Sequence, residues 1–475
     1  MCAGRMMISS RIDENILYFD RELRLDTNFD IIRRDIEIGE KRASFYFIDG
    51  FIKDEVMQKL MDALFKITKD EWPTDIKTFI ETKISYVEVE ESEEVEDIII
   101  QILSGVLCMF IDGYDKAIKL DVRTYPARGV EEPWKDKVMR GSRDGFVETL
   151  IFNTALIRRR IRDRELCVEM LNMGSSSKTD IAMCYMENRA DLDLVKDLKE
   201  RIMNTKVDAL TMNQESLAEC LFGGKMLNPF PKFKFSERPD TSAAALLDGN
   251  IIILVDNSPS AMILPTSVFD VIEEADEFYF PPVTGTYIRI SRFVITFIAL
   301  FLTPVWLLYT NNPQWLPDTL RFTLMKETVN VPVILQLLIL ELAIDGLRLA
   351  AINTPTSLST PLSVTAGLVI GEFTVKSGWF NAETMLYMSF VALATYTQAS
   401  FEFGYALKFM RIIMLLLTEI FSIYGLIAGI ILTFATIIFN KTISGKSYIY
   451  PIYPWNKEMF IRKVLRVRLP HKRKE

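Results

Sequence analysis

The chain has 475 residues, 49% of them apolar and 25% charged, with a formal net charge of −8. An acidic chain lacks the concentrated basic face that phosphate neutralisation requires, which argues against nucleic acid as a partner. Its one histidine, His471, lies near the end, which removes Ser-His-Asp triads, Cys-His dyads, histidine-ligated zinc and HExxH helices together.

The five cysteines, Cys2, Cys108, Cys167, Cys184 and Cys220, are odd in number and widely spaced, as expected of reduced thiols rather than a disulfide framework or a CxxC metal site. No catalytic residue, metal or cofactor is expected, and the chain is read as a non-enzyme. Charge is uneven by region: residues 1–288 carry 37 Lys and Arg against 53 Asp and Glu, 289–440 carry 8 against 8, and 441–475 carry 10 against 2. Met1 to Asp20 has no apolar core of the signal-peptide kind, so the acidic front is expected to stay in the cytoplasm.

Across residues 43–288 short apolar strands alternate with helical stretches. Ser44–Ile48 precedes an amphipathic Lys53–Ile67. An acidic helix near Glu91–Leu103 leads to Val106–Ile111 and then Ile118–Val122. A second set begins near Gly145 and contains Cys167–Leu171, Ile181–Tyr185, the charged helix Asp191–Met203 and the wholly apolar Ile251–Val255. The alternation predicts an α/β or α+β front of two subdomains, 1–125 and 126–288. Phe222–Met226 (FGGKM) lacks P-loop spacing and reads as a turn.

Between the two sets, Tyr125–Asp163 packs Arg, Gly and Pro unusually densely: YPARGVEEPWKDKVMRGSRDGFVETLIFNTALIRRRIRD. On physical grounds it is adequately read as a connector entering a helix whose Arg158, Arg159 and Arg160 oppose the C-terminal dipole.

From Phe293 the chain turns apolar. An uncharged run to Tyr309 is long enough to cross a bilayer as a helix, and further candidates follow at roughly 331–351, 362–379, 382–400, 406–423 and 425–440. Arg289 and Arg292 before the first segment, and ten basic residues after the last, place both ends on the cytoplasmic side and make the crossing number even, six or four. The run from Arg411 to Phe439 exceeds one untilted span and predicts two helices bent near Gly425. The expected architecture is thus the α/β front, a polytopic α-helical membrane domain at 289–440 and a basic cytoplasmic tail at 441–475. That tail suits an anionic lipid surface.

Charges inside the apolar part are the candidate functional groups. Glu341, Asp345 and Arg348 fall at i, i+4 and i+7 on one helix face, and Glu372 and Lys376 form an i, i+4 pair. The fifth segment carries a polar stripe of Lys408, Arg411, Thr418 and Ser422, with Glu419 at its edge. Charges at membrane depth face protein or water. Glu341, Asp345 and Glu372 are therefore candidates for an ion path, and Arg348, Lys376, Arg411 and Glu419 for ion-pair partners. The plainer alternative is that all of them are helix-to-helix pairs or interfacial groups.

The motifs YPARGVEEP (Tyr125, Pro126, Arg128, Gly129), RGSRDGFVETLIFNTALIRRRI (Arg140, Gly141, Arg143, Asp144, Gly145, Asn153, Arg158, Arg159, Arg160), PPVTGTYIRISRFVITFIALFL and YPWNKEMFIRKVLR span both halves in order. In these the chain closely resembles the A-subunit family of GerA-type spore germinant receptors. Within that family, residues 336–380 look most like the stage V sporulation protein AF branch. The resemblance implies a multi-pass protein of the inner spore membrane, with both termini on the core side, acting in germination. It also implies two cytoplasmic subdomains ahead of the membrane helices, homo-oligomerisation into an ion channel around the Pro332–Phe380 region, and work with B and C subunits or SpoVA-associated proteins. The leading expectation is an oligomeric cation channel in which acidic groups draw cations. The alternatives are a non-conducting scaffold or a germinant-sensing subunit that recruits other germination proteins. A secondary transporter is weaker, because the membrane halves show no repeated pattern.

Overall fold

Strands of the front form where apolar residues either alternate or run unbroken, and the two patterns report one covered face or two. In the computed structural model, which describes residues 7–123, 138–222, 228–326, 329–355, 367–445 and 447–467, the chain divides into two compact units. One comprises Met1–Gly224 with Phe233–Pro265, the other Lys225–Lys232 with Thr266–Glu475.

The first unit holds two five-stranded antiparallel sheets. The first, in order β1-β2-β4-β5-β3, is built from β1 (Ile31–Ile38), β2 (Lys41–Ile48), β3 (Val89–Ser92), β4 (Leu107–Ile111) and β5 (Ala117–Leu120). Phe45, Leu107, Met109 and Ile118 face helices α2 (Asp54–Leu64) and α3 (Ile76–Lys83). Tyr46, Cys108, Phe110 and Ala117 face α1 (Ile12–Glu22) and α4 (Val95–Leu103). With both faces covered, every residue of β4 is buried, which is why that strand reads as an unbroken apolar run.

The second sheet, in order β6-β7-β9-β10-β8, repeats the plan with β6 (Leu166–Met173), β7 (Thr179–Met186), β8 (Lys234–Ser236), β9 (Ile251–Val255) and β10 (Ala261–Leu264). Helices α5 (Leu150–Arg160) and α8 (Pro239–Leu247) cover one face through Leu156, Ile157, Ala243 and Leu246. The helices α6 (Leu192–Asn204) and α7 (Asn213–Phe222) also contribute buried leucines, Leu198 and Leu217. The strands and helices expected from the sequence are present. All pairings among the described strands are antiparallel, so the alternation of elements does not signal a parallel sheet here.

Within this unit the two sheets are joined by a buried ion pair. Arg158 of α5 donates Nε–H and Nη2–H to the two carboxylate oxygens of Asp30 at 2.9 and 3.0 Å, and Nη1–H to Leu166 O at 3.1 Å. The side chains are 0% and 1% exposed. Asn28 accepts from Val168 N at 2.7 Å, and Arg164 reaches Glu22 and Glu96.

The second unit is helical. After α9 (Val268–Ile272) and α10 (Asp276–Tyr279) come α11 (Pro282–Asn311), α12 (Val333–Asn353), a π-helical stretch Gly367–Phe373 continued by Thr374–Lys376, α13 (Ala382–Tyr396), α14 (Phe401–Ile438) and α15 (Lys457–Val464). Among the described residues, α11 and α14 are the two helices long and apolar enough to cross a membrane by length and composition. Thirty residues of α11 extend about 45 Å.

Helix α14 is interrupted at Ser422, whose φ of 52° and ψ of −129° are not helical. Its halves fold back on one another. A Cβ at Gly425 would lie 1.8 Å from Leu417 O, so only glycine allows this approach. The bend expected near Gly425 thus falls three residues earlier, and Gly425 is where the two halves touch. Asn312 Nδ2 donates to Ser422 Oγ at 3.1 Å and Asn311 Nδ2 to Glu419 at 2.8 Å, which puts the end of α11 beside this turn. Gln336 Oε1 accepts from Asn381 N at 2.9 Å, bringing the starts of α12 and α13 together. Ala299, Leu300, Phe403, Ala406, Leu407 and Met414 form one core of the bundle, and Trp306, Leu307, Leu337, Leu340 and Met388 another.

Candidate functional site

The charged face of α12 meets the polar stripe of α14. Arg411 donates Nε–H to Glu341 Oε1 at 2.6 Å and Nη2–H to Glu341 Oε2 at 3.0 Å, and its third donor group, Nη1, bonds Ala299 O of α11. One guanidinium therefore fastens three helices. Lys408, one turn earlier on α14, donates to Glu341 O at 2.9 Å and pairs with Asp345. Glu341 and Arg411 are 4% and 2% exposed at the side chain, whereas Asp345 keeps 30%. Beside the paired carboxylates is a recess lined by Asp345, Arg348, Thr395, Tyr396 and Tyr405. Paired this way the network is neutral except at its edge, as buried charges must be to persist.

The remaining candidates are placed as follows. Arg348, expected as an ion-pair partner, lies over the rings of Tyr396, Tyr405 and Phe401 at 4.7, 5.3 and 5.6 Å. Glu372 and Lys376 pair with each other on the surface, 50% and 67% exposed, in the i, i+4 relation their spacing implied. Glu419 accepts from Asn311 rather than from a cation. The structure thus brings Glu341, Asp345, Arg348 and Arg411 together around one recess. Lys408 completes the set; its place in the α14 stripe was the signal for it.

Of the Arg- and Gly-rich motif, Tyr125, Pro126, Arg128 and Gly129 lie outside the described residues. Elsewhere in the motif the residues divide their work. Asn153 Oδ1 accepts from Val147 N at 2.8 Å and its Nδ2 donates to Val147 O at 2.6 Å, closing the approach to α5. Gly141 takes a φ of +126°, in the region that favours glycine. Arg160 reaches Asp144 at 2.6 Å, Gly145 is buried, and Arg140, Arg143 and Arg159 lie at the surface. Arg158, read from the sequence as a dipole partner, turns inward to Asp30 instead. No local pattern announces Asp30, which is 128 positions away.

A second ionic cluster of the helical unit binds the C-terminal segment to the start of α11. Arg289 donates to Glu277 Oε2 at 2.5 Å and to Arg462 O at 2.7 Å. Arg466 donates to Glu277 O and Phe278 O at 2.8 and 2.7 Å. Lys463 pairs with Asp270 and, at 3.1 Å, with Glu273. Burial would raise the Asp270 carboxyl, but the Lys463 ammonium outweighs it and holds the group below the usual carboxylate range. For Glu277 burial prevails, and its carboxyl is pushed up despite Arg289.

Among the described residues no His, Cys, Asp and Glu group has the spacing to hold a metal. The thiols of Cys108 and Cys184 are buried and pushed well above their ordinary value by desolvation, which makes them inert packing groups.

Comparison with known proteins bears on the whole chain. The Bacillus/Clostridium GerA spore germination protein family matches residues 20–475. The chain is 35% identical over 458 residues to stage V sporulation protein AF of Bacillus subtilis, covering 96% of this chain and 92% of that one. It is 28% identical to spore germination protein A1 of Bacillus subtilis, over 90% and 88% of the two chains. A solved structure, the N-terminal domain of the A subunit of the Bacillus megaterium spore germinant receptor GerK3, is similar at 24% identity over 55% of this chain and 96% of its own, with a TM-score of 0.42. A family match that runs from the first sheet to the end of the chain, joined by a relative of more than one third identity along nearly all of it, leaves one assignment: the chain belongs to the GerA family of spore germination proteins.

Proposed function

We propose that this germination protein is an oligomeric cation channel of the inner spore membrane, closed in the conformation described here. Residues 1–288 would form a cytoplasmic, non-enzymatic head, 289–440 a multi-pass membrane domain and 441–475 a basic tail on the same side. The observation that carries the reading is the Glu341–Arg411–Lys408–Asp345 network, which ties α12 to the long apolar helix α14 and, through Ala299, to α11. Charges at membrane depth cost several kcal/mol unless they face protein or water, and so they mark interior or pathway positions. In this reading Glu341 is sealed by Arg411, Asp345 faces the recess, and Glu372 stands at the surface. Release of Arg411 would free a carboxylate to receive a cation.

Helix order supports an even crossing number. Helix α11 and the first half of α14 run one way, and α12, α13 and the second half of α14 run the other. In this reading the chain between α12 and α13 returns alongside α11, which gives six segments. Partners in this reading are further copies of the chain, membrane lipid, and B and C subunits or SpoVA-associated proteins.

Potassium efflux from liposomes holding the purified chain tests conduction. Wild type is expected to leak on activation, and a Glu341→Gln, Glu372→Gln double variant to lose cation preference. Unchanged selectivity in a folded double variant removes both residues from the path. The second reading, a non-conducting scaffold or germinant-sensing subunit, is favoured by the complete pairing of Glu341. In that case Arg411 is a brace, and the chain would give no flux under any stimulus.

A further inference from the structure

The recess beside the network is small, with room for about one water molecule, and its charges do not balance. Glu341 and Asp345 are taken up by Arg411 and Lys408, which leaves Arg348 as an extra positive charge. Among the described residues its guanidinium meets no carboxylate. It meets three aromatic faces, Tyr396, Tyr405 and Phe401, all within 6 Å. Rings at that distance attract and orient a guanidinium while leaving its planar N–H fork available. That fork matches an oxyanion, which it binds through two parallel hydrogen bonds.

Position narrows the class of oxyanion. Arg348 lies seven residues beyond Glu341, about 10 Å along α12. It sits beside the turn that joins α13 to α14, the end of the bundle opposite Ser422. On the membrane reading proposed above, on which this inference rests, that end is the cytoplasmic boundary, where aromatic side chains gather and anionic headgroups stand. A guanidinium without a carboxylate partner at that level fits a lipid phosphate better than a solute from either aqueous side.

We propose that Arg348, held by Tyr396, Phe401 and Tyr405, receives the phosphate of an anionic glycerophospholipid from the cytoplasmic leaflet. The site couples lipid to the helix network, because Arg348 and Asp345 share one face of α12. An anion drawn to Arg348 offsets the surplus charge that otherwise faces Lys408.

The test places the full chain in nanodiscs of phosphatidylcholine with or without phosphatidylglycerol and counts retained phosphatidylglycerol by native mass spectrometry. Wild type is expected to retain it about tenfold better than Arg348→Gln, the loss of one charge-assisted contact. Arg348→Lys keeps the charge but not the fork, and is expected to fall between the two. Equal retention by wild type and Arg348→Lys overturns the proposal, as does equal retention by wild type and Arg348→Gln. The second comparison also accounts for lipid held only by the basic tail. In a parallel arm in detergent, Arg348-dependent thermal stabilisation by inorganic phosphate alone, with no preference for the lipid, assigns the site to a free anion and overturns the lipid source. Failure of the chain to enter phosphatidylcholine discs at all overturns the membrane reading instead.

Discussion

Asp30–Arg158 in the sheet unit and Glu341–Arg411 in the helical unit are the same device in two settings. Each is a two-pronged guanidinium–carboxylate pair, nearly dry, with the remaining guanidinium donor on a backbone carbonyl, Leu166 O in one case and Ala299 O in the other. The difference lies in what surrounds them. Asp30–Arg158 is closed on all sides and charge-balanced one to one, and it acts as a rivet between two sheets. Glu341–Arg411 is extended by Lys408 and Asp345 to a partly open recess with a surplus cation. A sealed pair can only be intact or broken, whereas a pair with a second acid and base beside it can exchange partners.

This contrast can be broken or sharpened by substitution. The largest expected effect is at the rivet. Asp30→Asn leaves Arg158 buried with its charge unanswered and should cost about 3–5 kcal/mol, read as lost hydrogen-exchange protection across β6 and β7. The double change Asp30→Leu, Arg158→Met should recover most of that loss; a double variant as weak as the single would show that the pair is more than a local neutralisation. At the helical network Glu341→Gln should cost less, about 2–3 kcal/mol in thermal unfolding of the detergent-solubilised chain, because the second carboxylate, Asp345, remains beside the two cations. A cost equal to that of Asp30→Asn would mean that the partners are not interchangeable. At the exposed Glu372–Lys376 pair, Lys376→Ala should change stability by less than about 0.5 kcal/mol. A larger loss would place that pair against protein in the assembled state.

Much of the fold was legible where burial leaves an unambiguous composition. Leu107–Ile111 and Ile251–Val255 announce strands covered on both faces, and both are central in their sheets. The strand Ile31–Ile38 was not legible. It is buried only at its two ends and carries Arg33, Arg34, Asp35 and Glu37 between them, as an edge strand facing water does. Strand Ala261–Leu264 is too short to distinguish from a loop by pattern alone.

At the site, the spacing of Glu341, Asp345 and Arg348 fixed a common face, because helical periodicity is local information. Which base answers which acid was not fixed. That depends on how α12 lies against α14, and it leaves Arg348 among rings. The same limit explains Arg158: three consecutive arginines at a helix end satisfy the dipole equally well, and only the fold singles one out for Asp30.

The ionic clasp at the start of α11 has a consequence for biogenesis. Lys463 follows its partner Asp270 by 193 positions, so during synthesis the acidic residues ahead of α11 emerge long before the cations that neutralise them. Every intervening helix must be laid down while Glu277 has only Arg289 and Arg292 beside it. Closure of the clasp thus follows the helices from α11 to α14, and a chain halted before Arg462 would keep those helices yet leave the root of α11 without Lys463 and Arg466.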